Sequence, residues 1–234
     1  MAIKTEWVTA GQGAQSFPAY VATPSDVPRG GIVVVQEIFG VNSHIRSVAD
    51  RTAEAGYVAI APDLFWRVKP HIELGYTPDD IAQGRDFRGK LKDDDTVKDV
   101  GLAMAILSNR PAMRGKKMGV MGFCWGGLIS YLAACRLKPS AAVVYYGGGI
   151  PNYLSEAGKI PCPMMMHFGD LDKSIPVADV EKIREAMKSK TDTKVFLYKG
   201  AEHGFHCDQR GSYHPEHAKY AWERTVEFFR KTIG

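Results

Sequence analysis

Cysteine is scarce and unpaired in this chain: Cys124, Cys135, Cys162 and Cys207 stand at irregular spacings with no C-x-x-C motif. That pattern suggests neither a disulfide framework nor a zinc site, and free thiols fit a reducing compartment. No apolar run is long enough to cross a bilayer, and the opening Met1-Ala2-Ile3-Lys4-Thr5-Glu6-Trp7 lacks an apolar leader segment. A cytoplasmic protein with no membrane partner is therefore expected. Basic residues never gather into a block: 30 Lys and Arg are interspersed with 26 Asp and Glu, for a formal net charge of +4. This argues against nucleic acid as a partner. Internal repeats, low-complexity tracts and an interdomain linker are also lacking. What is present is an ordinary globular composition, 45% hydrophobic and 24% charged over 234 residues. It predicts a single α/β domain over residues 1–234, with monomer and homo-oligomer both compatible.

Two strand-like pieces, Glu6 to Val8 and Phe17 to Ala22, precede a turn at Pro28-Arg29-Gly30-Gly31 and the run Ile32-Val33-Val34-Val35. A continuous β-branched run of this kind reads as a strand covered on both faces. Short apolar runs recur at Val58 to Ala61, Met118 to Met121, Ala142 to Tyr146, Met164 to Phe168 and Val195 to Tyr198. Between them the spacing turns helical: Ile45 to Ala53, Val97 to Ile106, Leu128 to Ala133, Val177 to Met187 and Ala218 to Phe229. The alternation predicts a mainly parallel central sheet with helices on both faces, and a ligand site at the carboxyl ends of the strands. The stretch from Trp66 to Asp95 is polar, has no sheet-like run, and reads as a surface excursion over the site. Its acidic run Asp93-Asp94-Asp95 reads as a solvated helix start, where carboxylates are favoured.

One turn carries chemistry. Gly122-Phe123-Cys124-Trp125-Gly126-Gly127 follows a predicted strand and opens an apolar helix, the context that a nucleophile elbow requires. Glycine on both flanks tolerates the strained backbone of the central residue. The sulfur of Cys124 would project above the sheet, and the amide of Trp125 would point into the same space as an oxyanion donor. An α/β-hydrolase orders its triad as nucleophile, acid, base. The acid is expected in Gly169-Asp170-Leu171-Asp172, after the next-to-last strand, and the base in Gly200-Ala201-Glu202-His203-Gly204, after the last. Asp172 is favoured as the acid, with Asp170 forming the turn. A free thiol is only slightly ionised at neutral pH, so Cys124 needs the imidazole of His203, and His203 needs a carboxylate to orient it.

At this point the sequence resembles the dienelactone hydrolase (carboxymethylenebutenolidase) family of the α/β-hydrolase fold. The resemblance rests on Gln36-Glu37-Ile38-Phe39-Gly40, Ala61-Pro62-Asp63-Leu64-Phe65, the cysteine elbow, Tyr145-Tyr146-Gly147 and Gly200-Ala201-Glu202-His203-Gly204-Phe205, in order from about Gly31 to Phe229. It implies hydrolysis of esters or lactones, with Glu37 taking the thiol proton once a substrate carboxylate disturbs its resting contacts. It also implies that the backbone amide of Ile38 shares the oxyanion hole with that of Trp125. A carboxylate such as Glu37 at the end of an apolar strand is costly unless partnered, which agrees. The family pattern is departed from where substrate is read: Cys207 stands in place of an arginine that would hold a substrate carboxylate. Arg85, Arg88 and Arg210 are candidates to supply that charge, and Tyr146 is a further substrate-binding candidate.

Other readings are a carboxylesterase of different range and a non-catalytic hydrolase-fold binding protein. A glutaminase-like or peptidase-like cysteine enzyme would place His directly after the cysteine, where Trp125 stands. No cofactor and no metal are expected, because neither the set His203, His206 and Cys207 nor the pair His214 and His217 is completed by further ligands. The implied partner is a small-molecule ester or lactone, with or without a carboxylate.

Overall fold

The computed structural model describes residues 2–234. The apolar runs form β1 (Ile3–Ala10), β2 (Phe17–Pro24), β3 (Gly31–Val35), β4 (Val58–Pro62), β5 (Met118–Phe123), β6 (Ala141–Tyr145), β7 (Met164–Gly169) and β8 (Thr193–Tyr198). They make one sheet in the order β1-β2-β4-β3-β5-β6-β7-β8. β2 pairs antiparallel with β1 and β4, and from β4 to β8 every pairing is parallel. The helices are α1 (Ser43–Glu54), α2 (Pro78–Gly89), α3 (Asp93–Ser108), α4 (Trp125–Arg136), α5 (Val177–Met187) and α6 (Pro215–Thr232). This is the α/β-hydrolase architecture that the alternation predicts.

Every residue of β3, β4, β6 and β7 is buried, which requires cover on both sides. Two glycines show that cover directly. A Cβ on Gly31 would meet Leu107 of α3, whereas one on Gly119 would meet Phe229 of α6. Gly31 pairs with Met118 and Ile32 with Gly119, so these glycines point to opposite faces by the period-2 rule. α4 is apolar all round and buried from Trp125 to Cys135, as a helix enclosed in a core must be.

The polar excursion contains a helix that hydrophobic spacing does not reveal. In α2 only Gly84 is buried, so there is no apolar stripe to read. The helix is announced instead by its start: the Thr77 hydroxyl accepts from the Asp80 amide, the Asp80 carboxylate accepts from the Thr77 amide, and Pro78 fills the first turn. This reciprocal cap satisfies two amides that the first turn leaves without helical acceptors. The strand expected to reach Tyr146 stops at Tyr145 because Tyr146 turns to a φ of 37°.

Candidate active site

β5 passes to α4 through Cys124, whose backbone lies at φ 54° and ψ −119°. For a residue with a side chain this conformation costs about 1–3 kcal/mol. It is held in place because the Cys124 amide donates to the Tyr145 carbonyl at 3.0 Å and the Cys124 carbonyl accepts from the Gly127 amide at 2.9 Å. The flanking glycines are required by close approach. A Cβ on Gly122 would lie 2.0 Å from the Gly126 carbonyl oxygen, and one on Gly126 would lie 2.4 Å from those of Val35 and Gln36. The elbow is thereby pressed against the end of β3, which brings the Glu37 segment to Cys124.

The loops after β7 and β8 supply a carboxylate and an imidazole. Asp172 is buried; its Oδ1 accepts from the amides of Ser174 at 2.8 Å and Ile175 at 3.1 Å, and its Oδ2 lies 2.7 Å from His203 Nδ1. Asp170 instead accepts from the Gly200 amide at 2.6 Å, so of the two aspartates only Asp172 meets His203. Burial pulls the His203 pKa down, but the neighbouring Cys124 and the bond to Asp172 outweigh it and raise the ring to about 10. Because Nδ1 is taken by Asp172, the second ring nitrogen is the one left for Cys124.

Glu37 is fully buried. Its Oε1 accepts from Arg210 Nη1 at 3.2 Å and its Oε2 from the Tyr76 hydroxyl at 3.4 Å. Burial raises its pKa, opposed by the charges of Arg210 and His203 and by the Tyr76 bond. Arg210 reaches this carboxylate across 173 residues of sequence. It can do so because Gly204, at φ 78°, has no side chain: a Cβ there would lie 2.5 Å from Arg210 Nη1.

These groups open on a cavity of about 550 Å³ lined by Cys124, His203, Ile38, Trp125, Arg85, Arg88 and Arg210. The three arginines are not equivalent. Arg88 is tied to Asp93 at 2.5 Å and lies 5.0 Å over the Trp125 ring. Arg210 holds Glu37, and Arg85 is exposed, with no ion pair among the described residues. Asp93 corrects the reading of its acidic run: it does open α3, but its carboxylate is only 11% exposed and also accepts from Trp125 Nε1 at 3.3 Å and the Tyr153 hydroxyl at 2.9 Å. Tyr146 is a second correction. It does not line the cavity but is wholly buried, its ring set edge-on to His203 at 5.1 Å. Cys207 is likewise buried and off the cavity wall. Tyr76, Asp93 and Tyr153 were missed in the sequence because nothing local to them marks a site.

α2 carries Arg85 and Arg88 and rests on the site through Gly84, where a Cβ would lie 2.3 Å from the Ile38 carbonyl oxygen. On a solvated helix Gly→Ala stabilises by about 1 kcal/mol. Here the sign should reverse: Gly84→Ala is expected to lower stability by about 1–3 kcal/mol through overpacking. KM should rise as both arginines shift. Urea unfolding and steady-state kinetics measure both effects, and a stabilised variant would contradict the contact.

Residues 17–233 match the model of the dienelactone hydrolase family. A Synechocystis protein named "Putative carboxymethylenebutenolidase" is 40% identical, over 99% of this chain and 98% of its own length. A crystal structure titled as a "Putative Dienelactone Hydrolase" from Klebsiella pneumoniae superposes with a TM-score of 0.88 at 32% identity, covering 98% of this chain and 99% of the other. A dienelactone hydrolase-like promiscuous phosphotriesterase from metagenomic libraries shares the fold at a TM-score of 0.84 and 23% identity, each chain covered in full.

Proposed function

Because this chain belongs to the dienelactone hydrolase family, a family of hydrolases, we propose that it cleaves ester or lactone bonds with Cys124 as nucleophile, His203 as base and Asp172 as the residue orienting it. The observation that carries this reading is the 2.7 Å contact between His203 Nδ1 and Asp172 Oδ2, next to a cysteine held at positive φ on the wall of a cavity. In the resting protein Glu37 is occupied by Arg210 and Tyr76. A substrate carboxylate that engages Arg210 weakens that hold, and Glu37, whose burial favours the protonated form, takes the proton of Cys124.

The thiolate then attacks the carbonyl carbon, and the amides of Ile38 and Trp125 receive the developing oxyanion. Donors fixed in place before the reaction are worth about 3–4 kcal/mol each in such a site. The tetrahedral adduct collapses to a thioester, and the leaving oxygen takes a proton from His203; from a lactone it stays on the same molecule. Acylation removes the negative sulfur that helps to hold the His203 proton, so the neutral imidazole left behind is a competent base toward water. Water attack frees the acid and restores the thiol.

The choice of substrate is tested with a panel of matched esters and lactones, with and without a carboxylate. The anionic members are expected to be preferred, since Arg210 and Arg85 are the cavity cations not tied to Asp93. Arg210→Met should raise KM for anionic substrates roughly 10- to 100-fold, the worth of one charge-assisted hydrogen bond, with a small change for neutral ones. Equal turnover of both classes by the native protein would favour a carboxylesterase without charge selection.

A further inference from the structure

Beside the catalytic groups lies a cluster that shares Glu37 with the proposed reaction and has two members the reaction does not use. Glu37 follows β3, His44 is in the first turn of α1, and Cys207 lies in the loop after β8; one ligating atom from each falls within 4.8 Å of the other two. All three residues are buried. His44 is the unexplained member. Both of its ring nitrogens lack a hydrogen-bond partner among the described residues, and the nearest carboxylate, on Asp208, is 3.9 Å from Nδ1. An imidazole kept dry without a partner costs about 1–3 kcal/mol, so its placement calls for something to bind.

We propose that Glu37, His44 and Cys207 form a binding site for a thiophilic divalent cation, of which Zn²⁺ is the type. A sulfur, an imidazole nitrogen and one carboxylate oxygen make a ligand set suited to zinc or cobalt and unsuited to magnesium or calcium, which take oxygen. Burial keeps the His44 ring neutral, with a lone pair to give. The Cys207 thiol gives its proton to solvent as the metal–sulfur bond forms. The dication, one thiolate and one carboxylate sum to zero, so the filled site is neutral apart from Arg210, which remains beside Glu37. Tyr76, whose hydroxyl donates to Glu37 Oε2, borders the cluster. If the proposed mechanism holds, a cation here also occupies Glu37 and silences the enzyme.

Binding is tested without relying on turnover. Co²⁺ is titrated into the Cys124→Ser protein, which removes the catalytic thiol as a competing ligand. One equivalent should produce a sulfur-to-cobalt charge-transfer band with the visible bands of a tetrahedral site, and a raised Tm. The triple variant Cys124→Ser, Cys135→Ser, Cys162→Ser keeps Cys207 as the single thiol and must still give the band. Adding Cys207→Ser to Cys124→Ser must abolish it, and adding His44→Gln instead must weaken Co²⁺ at least about tenfold. No band in the triple variant, or a band that survives loss of Cys207, overturns the site. A band in a protein whose native form hydrolyses no ester or lactone would sustain the site and remove only the link to Glu37 chemistry.

Discussion

Cys124→Ala is expected to abolish hydrolysis of activated esters and lactones while leaving the protein folded and its cavity intact. Loss of a catalytic nucleophile in comparable triads costs on the order of 10⁶ in kcat, and the remaining groups do not compensate because they act as a unit. The same position should also reveal stored strain. Alanine at φ 54° keeps the backbone penalty, so its stability should match that of the native protein. Cys124→Gly relieves the penalty, and after the extra chain entropy of glycine it should be more stable by about 1 kcal/mol. An inactive alanine variant and an inactive but stabilised glycine variant, compared by urea midpoint, are the expected pair. Substantial turnover by Cys124→Ala would sink the assignment of the nucleophile.

The second large effect concerns His167, in the middle of β7. It is fully buried, with Nδ1 2.9 Å from the Tyr198 hydroxyl and Nε2 3.2 Å from Thr225 Oγ1. Burial, reinforced by the charge of Arg224, lowers its pKa from 6.5 to about 3. Between these two values the unfolded chain binds a proton that the folded protein refuses, so stability falls as pH drops through that window. The slope is about 1.4 kcal/mol per pH unit, or roughly 2 kcal/mol lost between pH 6.5 and 5. His167→Phe should keep the stacked ring and remove that proton. The two hydroxyls retain other partners, Arg224 for Tyr198 and Tyr145 for Thr225. The variant should be about 1–2 kcal/mol less stable at pH 7, where two hydrogen bonds are lost, and the two stability curves should meet near pH 5. Parallel urea-derived curves from pH 7 to 5 would refute this. His203 acts with the opposite sign: its raised pKa adds stability below 6.5 that is lost as pH climbs toward 10.

The fold was legible where burial is two-sided. Runs such as Ile32 to Val35 and Met164 to Phe168 have no polar alternation because helices cover both faces, and all became strands. α2 was not legible by spacing, since Gly84 alone is buried and a capping box is a weaker mark than an apolar stripe. In the candidate site, Cys124, Asp172 and His203 could be proposed from sequence because each follows a strand on a turn with its own sequence signature. What the chain brings together over distance could not be picked out. Arg210 meets Glu37 only through the absence of a side chain at Gly204, and Asp93 is withdrawn from solvent only because Arg88, Trp125 and Tyr153 converge on it. Tyr146 misled because a tyrosine in a motif at a strand end has the same letters whether its hydroxyl faces a ligand or the core.

The way α2 is attached has an evolutionary consequence. The helix bears two of the three cavity arginines, yet it is fixed by an N-terminal cap and a glycine seat and has little stake in the core. Its outward positions are therefore free to drift at small cost to folding, as surface changes usually are. Selection can rewrite which molecules are admitted by exchanging residues on this one segment, while the elbow, the imidazole and the carboxylate beneath it stay as they are. The exception is Arg210, which lines the same cavity yet holds Glu37, so a change there alters substrate admission and chemistry at once.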